Sequence, residues 1–313
     1  MKRVFGAFVV LLVFNQSCGS KNTGVHFIHP KSKIYEIFSP IGVNAKDYDF
    51  TTVTFNTQNF IYQDSSKNTI LDTLHLGHEI HLQTTFGIAA YGTTLPFYNL
   101  IYIDEGNIKK GVIFDEDIAY STAPSVMDST MLYIAKYEKE KHDAKLVIKA
   151  IGSNKVIDVV EVDKGLSPYY DIILGVVSSA KITNDGEMLF CEHSYPACGN
   201  DSKWYYLNFK NNRFYFVCEG GSWLNEKKYT TIYFPNIKKN KYVLSEMYGD
   251  HYWPDKLPVS LPIEFQDNAD KIILIETHSY EGDQLEMKND RVVEKKWFKW
   301  DTEQMVELKV ERF

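Results

Sequence analysis

The chain runs to 313 residues, 44% hydrophobic and 24% charged, with 34 basic against 41 acidic side chains and a net charge of −7. That length and apolar content bury a large core, as one big domain or two smaller ones. The acidic excess argues against nucleic acid or an anionic membrane surface as partner, and 21 Tyr and 19 Phe without Ala- or Leu-rich helical stretches favour strands.

The N-terminus reads Met1-Lys2-Arg3, then the apolar run Val4 to Phe14, then Asn15-Gln16-Ser17-Cys18-Gly19-Ser20. A basic start, an apolar stretch too short to span a bilayer and a small-residue zone make an export signal of residues 1–17. Ser17-Cys18-Gly19-Ser20 resembles the lipobox of bacterial lipoproteins, with Asn15 where an aliphatic residue is usual. The resemblance implies cleavage before Cys18 and a palmitate-type acyl anchor on that residue; ordinary cleavage after Gly19 or Ser20 is the alternative. Several acyl chains on one residue hold a protein stably at a membrane. Residues 18–27 then form a flexible stalk and 28–313 an all-β domain, divisible near 120–125. With Lys2 and Arg3 removed, 32 basic side chains face 41 acidic ones, net −9. No other stretch approaches 18 apolar residues, so the lipid is the one membrane contact expected. The expected location is the bacterial cell envelope, at the inner or outer membrane, facing the periplasm or the surface.

Strand-like runs follow at 33–38, 50–55, 59–63, 79–84, 99–103, 108–114, 130–137, 145–151, 156–162, 187–191, 204–210, 213–218, 229–234, 241–246, 271–277 and 291–299, most of them β-branched or aromatic. Gly106-Asn107, Gly152-Ser153-Asn154, Asn211-Asn212 and Asn289-Asp290 supply hairpin turns, because these residues tolerate positive φ. The architecture read from this pattern is all-β, made of antiparallel hairpins. Asp128-Ser-Thr-Met-Leu-Tyr-Ile, Asp185-Gly-Glu-Met-Leu-Phe-Cys and Asp270-Lys-Ile-Ile-Leu-Ile-Glu are weakly alike at offsets of 57 and 85 residues. The first offset reads as one propeller blade with an insertion and the second as two blades, so propeller-like repeats are favoured over paired β-sandwiches.

Counting back from an Asn211-Asn212 turn sets Tyr205 opposite Cys218, and pairing with 187–191 brings Cys191 and Cys218 to one end of three strands, with Cys198 in the loop there. Across a middle strand the outer two would stand roughly 9–10 Å apart, beyond disulfide reach, so the expected bridge is Cys191–Cys198 or Cys198–Cys218. Free thiols, or a metal site with His193, are the alternatives; Cys191-x-His193-x4-Cys198 fits no common zinc spacing.

His75, His78, Glu79 and His81 read as a polar strand face in water, since His-Glu-x-His lacks the spacing of the helical zinc motif. Asp115-Glu116-Asp117 reads as a solvated turn. No metal, cofactor or catalytic motif is expected, and Ser178-x-x-Lys181 lacks the helix and partner motifs that would make it one.

The binding candidates are aromatic loops: His251, Tyr252, Trp253 and Asp255 in the run 248–255, then Trp223 and Tyr195. Tyr and Trp on rigid loops serve as interface anchors and as sugar-stacking platforms, and Trp253 folded back as a lid on the core is the competing reading. The function expected is that of an envelope lipoprotein binding a protein or peptide, as an immunity protein against an envelope-targeted toxin or as an assembly factor. The alternative is a lipoprotein that binds or hydrolyses glycans, with acids such as Asp117, Asp250 or Asp255.

Overall fold

The structure is a computed structural model and describes residues 50–83, 96–139, 144–166, 171–177, 186–194, 202–223, 226–238, 241–248, 251–252, 259–282 and 287–313. Within them every strand pairing is antiparallel. No helix among the described residues is long and apolar enough to cross a membrane.

The first sheet has six strands: β1 (Phe50–Val53), β2 (Gln58–Tyr62), β3 (Ile70–His75), β4 (Glu79–Leu82), β5 (Phe97–Asp104) and β6 (Asn107–Phe114), in the order β1-β4-β5-β6-β2-β3. A 3₁₀ turn over Asp115–Asp117 leads into a four-stranded meander of β7 (Ser121–Pro124), β8 (Met131–Lys139), β9 (Ala144–Gly152) and β10 (Lys155–Leu166). A second meander follows: β11 (Asp171–Val177), β12 (Glu187–Ser194), β13 (Ser202–Lys210) and β14 (Arg213–Trp223). Its last strand meets β15 (Lys228–Lys238) at only two pairs, Ser222 with Tyr229 and Trp223 with Lys228. That corner opens a third four-stranded unit, β15 with β19 (Ile272–Glu281), β20 (Lys288–Asp301) and β21 (Gln304–Arg312). Between β15 and β19 the chain inserts β16 (Lys241–Tyr248), β17 (His251–Tyr252), β18 (Val259–Ser260) and a 3₁₀ segment over Ile263–Lys271.

Alternation within each strand sends side chains to both faces, so neighbouring sheets can stack in series. Tyr133, Ala135, Leu146 and Ile148 of the first meander share a core with Leu174, Leu189, Tyr205 and Leu207 of the second. The opposite face of the first meander, Ile134, Val147 and Ile151, packs against Val53, Phe55 and Leu76 of the six-stranded sheet. The opposite face of the second meander, Phe190, Tyr206 and Val217, packs against Ile232, Phe234, Ile273 and Trp300 of the third unit. Like strands align in this stack: Leu174 N of β11 donates to Ser121 Oγ of β7 at 3.0 Å, and Phe214 N of β14 donates to Asp158 Oδ2 of β10 at 2.7 Å.

The three Asp-led segments open the second strand of each four-stranded unit, β8, β12 and β19. The 85-residue offset therefore spans one unit carrying the β16–β18 insertion rather than two units. Two turn readings shift as well. The β5–β6 turn is Glu105-Gly106, with φ of 48° and 78°, one residue earlier than expected. Asn289, φ 52°, lies inside β20 next to a register shift instead of forming the hairpin turn.

Candidate functional site

The site grows out of β14. Asn211 and Asn212 both adopt positive φ, 50° and 61°, and make the two-residue turn that sets Lys210 opposite Arg213. The register holds to Leu207 opposite Phe216 and then slips, so that Tyr206, not Tyr205, faces Cys218. This β-bulge turns both Val217 and Cys218 to the face that packs on the third unit. Cys191, paired with Tyr205, lies on the other face, in the core between the meanders. The expected convergence of the two thiols at one strand end is thereby overturned: the sheet itself separates them. Both are free and buried, and desolvation, aided by the neighbouring Glu192 or Glu219, raises both thiols well above the usual range, which makes them inert. Cys198 lies outside the described residues.

Past the bulge, Gly220 lets the Trp204 indole lie flat on the strand: a Cβ there would stand 2.3 Å from Trp204 Nε1 and 2.5 Å from Thr230 Oγ1. Gly221 N donates to Thr230 Oγ1 at 2.7 Å, which ties the corner to β15. Because β14 and β15 pair only at that corner, the sheets diverge from it, and a cleft of about 850 Å³ opens between them. Val217, Cys218, Ile275 and Met305 form its apolar lining, and Phe216, Trp223 and Phe298 supply aromatic faces. Phe216 is 45% exposed on the cleft wall. Charges of both signs border the cleft: Lys203, Lys228 and Lys296 with Glu219, Glu226 and Glu303. Lys228 pairs with Glu226 at 3.2 Å and Lys296 with Glu294 at 2.9 Å. The cleft is thus an apolar trough with aromatic walls and a mixed polar border, the composition common to ligand pockets.

The far face of the same sheet carries a charged nest. The buried Glu276 carboxylate accepts from Lys295 Nζ at 2.7 Å and Tyr233 OH at 3.1 Å, with His278 Nε2 3.6 Å away. Desolvation alone would raise its pKa, but His278, Lys295 and Tyr233 outweigh it and hold it down at about 2. His278 stacks on Tyr229 at 4.5 Å and sits 3.3 Å from Asp290, which also accepts from Tyr229 OH at 2.7 Å.

Of the residues expected to bind, Trp223 lines the cleft. His251 and Tyr252 form β17, paired with Tyr248 and Met247 of β16. Cys18, Tyr195, Trp253 and Asp255 lie outside the described residues. The histidine run is split by a turn at Gly77, φ 76°: the His75 and His78 rings meet at 5.0 Å, while His81 is buried, with Thr51 Oγ1 at 3.0 Å and Glu79 at 3.3 Å. His81 therefore departs from the solvated strand face expected, while His75 is exposed and His78 and Glu79 are half-buried. Asp115 and Asp117 are likewise buried rather than solvated, because Tyr120 OH reaches both Asp115 oxygens at 2.8 Å and Asn56 Nδ2 reaches Asp117 at 2.8 Å. Burial raises the Asp117 carboxyl against the opposing Asn56 bond. No group of three or more His, Cys, Asp or Glu among the described residues has metal-binding geometry.

Phe216, Phe298 and Met305 escaped the sequence reading. Phe298 reads as ordinary strand core until the bulge and the corner show which sheet faces it, and the only local signal is the run Gly220-Gly221-Ser222-Trp223. No protein-family model and no curated protein matches the chain.

Proposed function

We propose that this chain is an envelope lipoprotein, tethered through Cys18, whose all-β domain binds a protein or peptide partner in the cleft between β14 and the third four-stranded unit. The observation that carries the reading is the cleft's composition, three aromatic side chains over an apolar lining held open between two fixed sheets. Interface anchors are typically aromatic side chains in desolvated pockets, ringed by polar groups that exclude water. The mixed Lys and Glu border gives such a partner its register. An immunity protein and an assembly factor both fit. In the same reading, the stacked four-stranded units form an incomplete propeller-like array, with the cleft as the gap between two blades.

The test is recovery of a partner from crosslinked, detergent-solubilised envelope with the wild-type chain and with Trp223→Ala and Phe298→Ala variants. A specific protein held by wild type and lost from both variants supports the reading, and equal recovery from all three overturns it. The alternative occupant is a glycan, since Trp223 and Phe298 offer flat apolar faces to a sugar ring. Binding on a glycan array that is abolished by Trp223→Ala, with no protein recovered, would select that alternative.

A further inference from the structure

The connection between β7 and β8 ends in two adjacent apolar side chains, Val126 and Met127, 70% and 66% exposed. Loop tips ordinarily carry small or polar residues and move freely. This one is fixed. Val126 N and Met127 N both donate to Glu187 Oε1, at 2.6 and 2.7 Å. Ser125 Oγ accepts from Asp128 N at 2.9 Å, and Asp128 Oδ1 accepts from Thr130 N at 2.9 Å. Two backbone bonds, Ser125 N to Met131 O and Met131 N to Asp128 O, close the turn.

Glu187 belongs to β12, in the neighbouring sheet, and is 4% exposed, with its second oxygen taken by Tyr133 OH. A buried carboxylate is costly unless charge-assisted bonds satisfy it. Within the loop, Ser125 Oγ also accepts from Met127 N, at 3.2 Å, but reaches it less closely than Glu187 does. A carboxylate reaching in from the next sheet does more, because it fixes the tip relative to both meanders while leaving Val126 and Met127 in water.

From this geometry we infer that the Val126–Met127 tip is a preorganised plug for an apolar socket on a partner protein, a second contact surface separate from the cleft. Three features favour a protein socket over a bilayer. A single myristoyl chain alone gives only marginal membrane binding, and the two side chains together carry fewer carbons than that. Asp128 stands exposed beside the tip and opposes anionic headgroups, whereas it complements a basic residue at the rim of a socket. Asp128, Ser129 and Thr130 are exposed and form a polar collar at one side of the apolar pair, as at the edge of a protein–protein anchor. A rigid tip also binds without an ordering penalty.

The test places a photoreactive benzoylphenylalanine at position 127 of the full chain in its producing cells, with the same residue at the exposed Lys110 as control. The expected result is one protein adduct from 127 and none from 110. That protein, purified, should bind wild type with at least about 30-fold higher affinity than Val126→Asp/Met127→Asp, while Lys110→Ala binds it unchanged. Glu187→Gln, which keeps an acceptor, should quicken amide exchange at 126–128 and weaken binding by a smaller factor. Adducts only to lipid, no adduct at 127 with the chain correctly exported, or unchanged affinity in the double variant would each overturn the inference. Loss of binding in Trp223→Ala instead would assign the partner to the cleft and remove the tip from its recognition.

Discussion

Two successive interfaces in the stack are built from equivalent strands, yet one is filled and the other is open. Between the first and second meanders, Tyr133 packs 5.4 Å from Phe209 and 6.1 Å from Phe214, and those two rings stand 4.9 Å apart. Between the second meander and the third unit, the bulge sets Val217 and Cys218 on one face, Gly220 yields its side-chain space to Trp204, and about 850 Å³ stays unfilled. Interiors pack densely by default, so an opening of this size between sheets of the same kind comes from particular residues. The difference separates a closed interface from an open one within a single architecture.

The filled interface depends most heavily on Tyr133. It is fully buried, and its hydroxyl is one of the partners of Glu187. Tyr133→Ala should lower unfolding free energy by about 3–5 kcal/mol, from the ring cavity together with an under-satisfied carboxylate. Trp223→Ala on the open interface should cost only about 1 kcal/mol, since that ring is partly in water already. Urea denaturation of both variants measures the contrast, and equal losses would mean that the cleft is as structural as the filled interface.

How much of this was legible in the sequence follows from what each feature depends on. Runs such as 145–151 and 204–210 declare strands through β-branched and aromatic residues, and β9 and β13 cover them. β21 was missed because its apolar Val306 and Leu308 are 39% and 42% exposed; its strand state comes from pairing with β20, not from burial. β7 has four residues ending in Pro124, too short for a periodic signal. The Asn211-Asn212 turn was legible from local chemistry, but the bulge at Val217 and Cys218 was not, and one displaced residue sufficed to send Cys218 to the other face. Trp223 was legible as a candidate aromatic, though it is half-buried at the end of β14 rather than on a loop. Its cleft partners Phe298 and Met305 come from strands 75 and 82 positions later and meet it only through the corner between β14 and β15.

Acid acts on the third unit from the face opposite the open interface. The third unit is held on its outer face by the Glu276 nest and by the core of Leu244, Leu274 and Trp297. Glu276 ionises at about 2 in the fold against 4.5 for an unperturbed glutamate. A depressed carboxylate contributes its stability above the unfolded value and loses it as pH falls toward the folded one. Wild type should therefore lose on the order of 2–3 kcal/mol between pH 4.5 and pH 2 from this group. Glu276→Gln should lack that contribution at pH 6 and converge with wild type near pH 2, as thermal melts across the range would register. A gap that persists at pH 2 would mean that the side chain acts through packing rather than charge.

The smallest expected effect bears on what closes the filled interface. Asp158 on β10 accepts the Phe214 N–H at the start of β14, so it clamps the last strands of the two meanders together where the Phe209 and Phe214 rings meet. A charge-assisted bond at a half-buried position contributes about 1 kcal/mol net, because water can take part of its place. Asp158→Ala should cost that much, and Asp158→Asn, which keeps an acceptor, about half. The informative readout is local. If the clamp closes the interface, amide exchange at Phe214 and Tyr215 should quicken in Asp158→Ala while exchange at Ser222 and Trp223, next to the open cleft, stays as in wild type. Quickening at both ends of β14 would mean instead that the strand moves as one body, and the cleft would then owe its opening to the whole of β14 rather than to the bulge.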